Sequence, residues 1–178
     1  METIIIGGGC FWCIEAIFYK LNGVDSAVSG YCGGKIPSPT YNQVCTGTTG
    51  HAEVVQIVFN PEIISCREIL EIFFLLHDPT TRNRQGADAG TQYRSAIFYH
   101  TDAQKILSLN IISETNAAHI WKCPIVTEVT PIELFYPAED DHQKYYERNP
   151  HQGYCQAVIA PKITKLQTLF LKKMKTSS

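Results

Sequence analysis

Two cysteines three residues apart, Cys10 and Cys13, follow directly on Gly7-Gly8-Gly9. Thr3–Ile6 is a short β-branched run ahead of the glycines. Beyond them Phe11, Ile14, Ala16, Ile17, Phe18 and Leu21 recur at helical spacing up to Asn22-Gly23. The spacing predicts that Cys10 opens a helix that leaves a strand through a glycine turn. There, unpaired backbone N–H groups and the positive end of the helix dipole stabilise an anion. The expected consequence is a thiol with a depressed pKa that reacts as a thiolate. A free cysteine is more often a small buried hydrophobe. Against that reading stand the glycines, which leave backbone amides open to a substrate, the aromatic pair Phe11-Trp12, and the second thiol.

Nucleotide binding does not fit the glycines. A dinucleotide fingerprint needs a further glycine after the first pair and an acidic residue about 20 positions on, whereas Phe11 and Trp12 fill the space a pyrophosphate would approach. A phosphate loop fails for lack of Gly-Lys-Ser/Thr. The Cys-x-x-Cys is open to three readings. Zinc needs a second ligand pair, and the chain has no other Cys-x-x-Cys and no His-x-x-x-His. A thioredoxin-like redox pair lacks its surrounding frame. A nucleophile with a nearby resolving thiol fits best.

The elements that must position these thiols follow from periodicity. Val24–Gly30 alternates like a strand, and Cys32–Thr49, rich in Gly, Pro, Ser and Thr, reads as a long surface loop. Glu53–Phe59 alternates cleanly, with Glu53, Val55, Ile57 and Phe59 on one face. Arg67–Leu76 reads as an apolar helix ended by His77-Asp78-Pro79, and Thr80–Gln92 as a polar loop. A strand is expected at Ser95–Tyr99, a helix from a cap at Asp102 to about Ala118, and a strand at Ile125–Ile132. Asp140–Glu147 suits a short helix, Ile163–Lys173 a terminal one, and Lys175–Ser178 a disordered tail. This order predicts an α+β fold: a mostly antiparallel sheet with helices packed on it, in the two-layer class.

Composition narrows the function. With 178 residues the chain fits one domain, since a domain runs roughly 100–200 residues. The balance of 15 Lys+Arg against 17 Asp+Glu, net charge −2, argues against a nucleic-acid binder. Seven cysteines are too few and too odd in number for a disulfide scaffold. Met1–Ile6 offers neither a basic n-region nor a long apolar run. The expectation is a reduced, cytoplasmic protein without a membrane span.

Gly9-Cys10-Phe11-Trp12-Cys13 resembles the active-site signature of the A-type peptide-methionine sulfoxide reductases, which act on the S epimer. Further segments are similar to that family in the same order: Pro39-Thr40-Tyr41, Thr49-Gly50-His51-Ala52-Glu53, Asp88 to Ser95, Phe135 to Glu139, His142-Gln143 and Gly153-Tyr154-Cys155. The resemblance runs from Gly7 to about Cys155. It implies a two-layer α/β sandwich with a ferredoxin-like core, no cofactor, and thioredoxin as the reductant. It also implies roles. Cys10 attacks the sulfoxide sulfur and becomes a sulfenic acid, and Glu53, its pKa raised by an apolar setting, gives a proton to the oxygen. Tyr41 and Tyr93 hydrogen-bond that oxygen, Asp88 orders the pocket and a bound water, and Phe11 and Trp12 wall a slot for the S-methyl group.

Restoring Cys10 needs a second thiol. Cys155 matches the family's C-terminal resolving cysteine, and a flexible Gly/Pro tail would bring it in. Cys13 is the rival candidate: it stands where many relatives have glycine, and the resemblance implies that in some cysteine-bearing relatives this position is the resolver. An i,i+3 disulfide within regular helix strains its geometry, which favours Cys155. Cys32 reads as incidental or auxiliary, Cys45 as packing, and Cys66 and Cys123 as structural. His51 is expected to hold the loop of Glu53.

Overall fold

The computed structural model describes residues 1–175, so the expected tail lies outside the described residues beyond Lys175. In chain order the elements are β1 (Glu2–Gly7), α1 (Phe11–Phe18), β2 (Val24–Cys32), α2 (Tyr41–Cys45), β3 (Ala52–Phe59) and α3 (Cys66–Leu76). A small hairpin of β4 (Arg84–Gln85) and β5 (Asp88–Ala89) follows. Then come β6 (Ala96–Tyr99), α4 (Asp102–Ala117), β7 (Glu128–Pro131), β8 (Phe135–Pro137), α5 (Tyr145–Arg148) and α6 (Ala160–Phe170).

Six strands form one sheet in the order β7-β6-β1-β3-β2-β8. β1 runs antiparallel between β3 and β6, β2 is antiparallel to β3 and β8, and β7 joins β6 in parallel. The period-two alternation of the strands separates two faces. Ile4 and Ile6 of β1 and Val55, Ile57 and Phe59 of β3 face a large core that includes Phe11 and Ile14 of α1, Ile69 and Phe73 of α3, Ile111 of α4 and Leu166 of α6. Ile5, Cys32, Ala52, Val54, Ala96 and Phe98 form a smaller apolar patch on the opposite face. The result is a mixed α/β fold with its helices gathered on the core face. No helix among the described residues is long and apolar enough to cross a membrane.

Several boundaries differ from the sequence reading, each for a local reason. The Cys32–Thr49 segment is not a loop throughout: Cys32 belongs to β2, and Thr40 and Gln43 form a reciprocal capping box that starts α2. Five residues are too few for a periodicity to show. Thr101, not Asp102, caps α4, its hydroxyl accepting from the Gln104 N–H. Of Ile125–Ile132 only Glu128–Pro131 joins the sheet, because Ile125 and Val126 donate instead to Asn116 and Pro79. β8 ends in a proline and has three residues; it exists because Gly30–Cys32 of β2 offers it an edge. Asp140–Glu147 splits into one tight turn at Asp140–His142 and α5.

The largest correction concerns the C-terminal third. Gly153-Tyr154-Cys155 is not a flexible tail. A wide π turn at Cys155–Ile159 runs straight into α6, and Cys155 is 0% exposed within the core. The Gln152 side chain caps this helical run by accepting from the Tyr154 and Cys155 N–H groups. Its far end is strapped to the start of the chain: the Asn22 N–H donates to Lys173 O, the Lys175 N–H to Lys20 O, and Lys173 pairs with Glu68.

Candidate active site

Cys10 is placed by two glycines acting in different ways. A Cβ at Gly8 would lie 2.7 Å from the His77 ring and 3.0 Å from the Phe73 ring, so the glycine lets those rings press against the turn. Gly9 has φ +96, and a Cβ there would meet the Gln85 side chain at 2.7 Å. Gln85 is itself held: its amide accepts from the Asp78 N–H and donates to Asp78 O. The turn thus runs between His77 and Gln85. It delivers Cys10 as the cap residue of α1, in extended conformation with φ −60 and ψ 127.

Cys10 is 9% exposed, and its thiol does not have the depressed pKa expected from the helix end. Burial pushes it well above the ordinary thiol value, the neighbouring Cys13 thiol and the Glu53 charge push the same way, and the Trp12 N–H only partly offsets them. Desolvation of the charged form outweighs the terminal N–H groups. Cys13 moves the other way, lowered chiefly by a hydrogen bond from Cys10. The two thiols are therefore neighbours whose titrations are linked.

Glu53 ends up where the alternation of β3 puts it, on the core face and 1% exposed. Its Oε2 accepts the Phe11 N–H at 3.0 Å, tying the acid to the residue after Cys10. Burial raises its pKa to about 8, opposed by that hydrogen bond and helped by the charges of Asp88 and Cys13. At neutral pH the carboxyl is mostly protonated. Tyr41, the first residue of α2, and Tyr93, in the turn Thr91–Tyr93, are half-buried. Both phenols are pushed up by burial and by the Glu53 charge, and the charges of Asp88 and Cys10 also reach Tyr93. Cys10, Glu53, Tyr41, Tyr93 and Asp88 therefore converge on one place from the cap of α1, β3, α2, the turn before β6 and β5.

Asp88 has a partner that the sequence reading did not name. Its Oδ2 accepts from the Tyr154 hydroxyl at 2.6 Å, and that hydroxyl lies 3.9 Å from Cys13 Sγ. Cys155, next along the chain, is raised by burial and by the charge of Cys13. Cys13 is thus the thiol whose charge reaches both Cys10 and Cys155.

Phe11 and Trp12 face different surroundings. Phe11 is fully buried, with ring centroids 5.7 Å from Tyr31 and 6.2 Å from Tyr41. Trp12 is partly exposed and stacks on Tyr145 at 3.7 Å; its indole N–H donates to His142 Nδ1 at 3.2 Å. His142 in turn lies 4.2 Å from the Tyr41 ring. Glu139 anchors the box by accepting from the Tyr41 N–H at 2.7 Å and the Tyr31 hydroxyl at 2.8 Å. His142, Tyr145, Glu139 and Tyr154 are site residues without an assigned role in the sequence reading. They come from the last third of the chain; a place in the family-like segments hinted at Glu139, His142 and Tyr154, and nothing hinted at Tyr145.

The remaining cysteines divide by location. Cys32 and Cys66 are buried, and burial pushes them to about 11 and about 12. Cys45 and Cys123 are exposed, so neither serves as core packing. His51 holds a different loop from the one expected, accepting from the Gly34 N–H and bonding Ile36 O. Among the described residues no cluster of His, Cys, Asp and Glu could hold a metal ion.

The family model described as peptide methionine sulfoxide reductase matches residues 2–174. The chain is 51% identical over 170 residues to a peptide methionine sulfoxide reductase MsrA of Polynucleobacter asymbioticus, covering 96% of this chain and 90% of the relative. Among solved structures, reduced Mxr1 from Saccharomyces cerevisiae superposes with a TM-score of 0.81 at 40% identity, covering 86% and 88% of the two chains. Mxr1 in complex with Trx2 gives a TM-score of 0.57 at 29% identity over 81% and 84%. On the match of the whole domain, the chain belongs to the peptide methionine sulfoxide reductase family.

Proposed function

We infer that the protein reduces the S epimer of methionine sulfoxide, free or in proteins, to methionine, with Cys10 as nucleophile and Glu53 as acid. The observation that carries this reading is Glu53. A buried carboxyl with its pKa near 8, bonded through Oε2 to the Phe11 N–H beside Cys10, leaves Oε1 to carry a proton at neutral pH. Pure binding of a sulfoxide has no need of such an acid.

The step balances as follows. The Cys10 sulfur bonds to the sulfoxide sulfur while Glu53 protonates the oxygen, and Tyr41 and Tyr93, held as neutral phenols, donate to it. The S–O bond breaks as oxygen passes to Cys10; methionine leaves and Cys10 becomes a sulfenic acid. The proton given up by the Cys10 thiol replaces the one Glu53 lost. The raised Cys10 pKa fits this coupling, because the thiol then loses its proton only as the oxygen gains one. Phe11 and Trp12 wall the S-methyl slot, and Asp88 supports the pocket through Tyr154.

For the return step the geometry supports Cys13 as the first resolver. Cys10 is the cap, outside the regular helix, so the strain expected for an i,i+3 pair does not apply. The Cys13 thiol attacks the sulfenic sulfur, water leaves, and a Cys10–Cys13 disulfide forms. Cys155, within reach of the Cys13 charge, then attacks Cys13 and releases Cys10. A dithiol protein of the thioredoxin class reopens the final disulfide, as the Mxr1–Trx2 complex suggests. All seven cysteines are free, which suits a reducing, cytoplasmic setting. The succession β1-α1-β2-β3-α3-β6 with the spatial order β6-β1-β3-β2 supports a mostly antiparallel, ferredoxin-like core within a two-layer, single-domain fold.

The test is reduction of a peptide methionine sulfoxide, each epimer separately, with dithiothreitol or thioredoxin. The expected result is turnover of the S epimer alone and none by Cys10→Ser. Equal rates on both epimers, or activity surviving Cys10→Ser, would overturn the assignment. Peptide mapping then orders the thiols: Cys155→Ser should accumulate a Cys10–Cys13 disulfide, and Cys13→Ser a sulfenic acid.

A further inference from the structure

Glu15 is a carboxylate where the core calls for a hydrocarbon. It lies on α1 five residues after Cys10 and one turn after Trp12, and it is 2% exposed. Its Oε2 accepts the Lys144 N–H at 2.8 Å, while its buried Oε1 has no hydrogen-bond partner. The Lys144 ammonium makes no ion-pair contact with it, being turned to the Tyr19 hydroxyl at 3.2 Å and lying over the Tyr19 ring. A buried carboxyl with one unpartnered oxygen is costly, so its hold on the Lys144–Tyr145 backbone must do something that Leu would not.

That hydrogen bond fixes an unusual turn. Lys144 sits in the left-handed region, with φ 52 and ψ 36, and caps the N-terminal end of α5 without a side-chain hydrogen bond to that helix. The next residue is Tyr145, whose ring lies flat on Trp12 at 3.7 Å and 7°. Trp12 and Glu15 are three apart on one helix, hence on one face of it. The carboxyl and the indole therefore grip two consecutive residues of the same segment.

We propose that Glu15 is a positioning residue for sulfoxide reduction: by accepting the Lys144 N–H it holds Tyr145 on Trp12 and so sets the width of the S-methyl slot. The inference rests on the reading of Trp12 as a wall of that slot. Glu15 touches no reacting atom and acts through Lys144 and Tyr145. Gln retains a carbonyl oxygen that can accept from Lys144, whereas Ala and Leu do not.

The test uses Glu15→Gln, Glu15→Ala and Glu15→Leu in a Trp121→Phe background, so that the remaining tryptophan, Trp12, reports the stack by fluorescence. Glu15→Gln is expected to keep KM and emission within about twofold of the parent. Glu15→Ala and Glu15→Leu are expected to raise KM for an S-sulfoxide peptide about tenfold, with the single-turnover rate at saturation changed less than about threefold and the Trp12 emission shifted. Glu15→Leu fills the space and keeps the test open if Glu15→Ala does not fold. Unchanged KM and emission in a folded Glu15→Leu would overturn the role of Glu15. A shifted emission with unchanged KM would overturn the slot reading of Trp12 on which it rests.

Discussion

At the scale of single residues, buried ionisable groups set the pH behaviour. Glu53 must be protonated to act, and its pKa of about 8 predicts a rate for sulfoxide reduction that falls as pH rises through 8. Glu53→Gln should lose about 10²–10⁴ in kcat, read in single-turnover assays. The same group depresses stability. Its folded pKa exceeds the ordinary carboxylate value of 4.5, so the stability present below 4.5 is lost as pH rises to 8. Glu53→Gln should therefore be the more stable protein at pH 8, by up to about 5 kcal/mol in chemical denaturation, a variant inactive yet harder to unfold. His77 has the opposite sign. Burial lowers it to about 4, so its contribution is complete above 6.5 and is lost as pH falls through 4, roughly 3 kcal/mol in all. A His77→Gln protein should show a flatter stability profile between pH 4 and 6.5.

At the scale of elements, the glycine turn is the joint on which the site depends. Gly8→Ala brings a Cβ within 2.7 Å of the His77 ring, which is fixed by bonds to Phe73 O and Ser95 Oγ and cannot retreat. The expected cost is about 1–3 kcal/mol of stability by thermal unfolding, with a larger relative loss of activity because Cys10 moves with the turn. This joint was legible in the sequence: a β-branched run, three glycines and a helical period leave little choice for where Cys10 sits. Glu53 was legible for the same reason, since a strand's alternation assigns its face. The direction of the Cys10 pKa was not, because burial is a property of what packs over the helix end. α2 and β8 were hidden as well, and α5 was legible only as a short helix drawn a few residues too early. Each is five residues or shorter, and β8 owes its existence to a partner far along the chain, the Gly30–Cys32 edge.

At the scale of the whole molecule, the seven thiols occupy distinct compartments. Cys45 and Cys123 face solvent, Cys32 lies in the small patch behind the sheet, and Cys10, Cys13 and Cys155 share the helical core. Alkylation of the native, reduced protein followed by mass spectrometry should modify Cys123 and Cys45 first, with Cys32 and Cys155 protected until unfolding. Rapid labelling of Cys155 in the reduced protein would contradict its place in the core. Sequence spacing could count the thiols but not sort them, since their sorting follows from which side of a shared sheet each element covers.

The strap at Lys20–Asn22 makes the last helical run a lever with one end pinned. Cys155 sits at the other end, beside Gly153, which has no neighbour near its Cα hydrogen, and at the start of a π turn wound one residue looser than an α-helix. In the relay proposed above, exposing Cys155 to a reductant from the Gly153 side means breaking only the Gln152 cap and the Tyr154–Asp88 bond, while the pinned end can keep the rest of α6 in register.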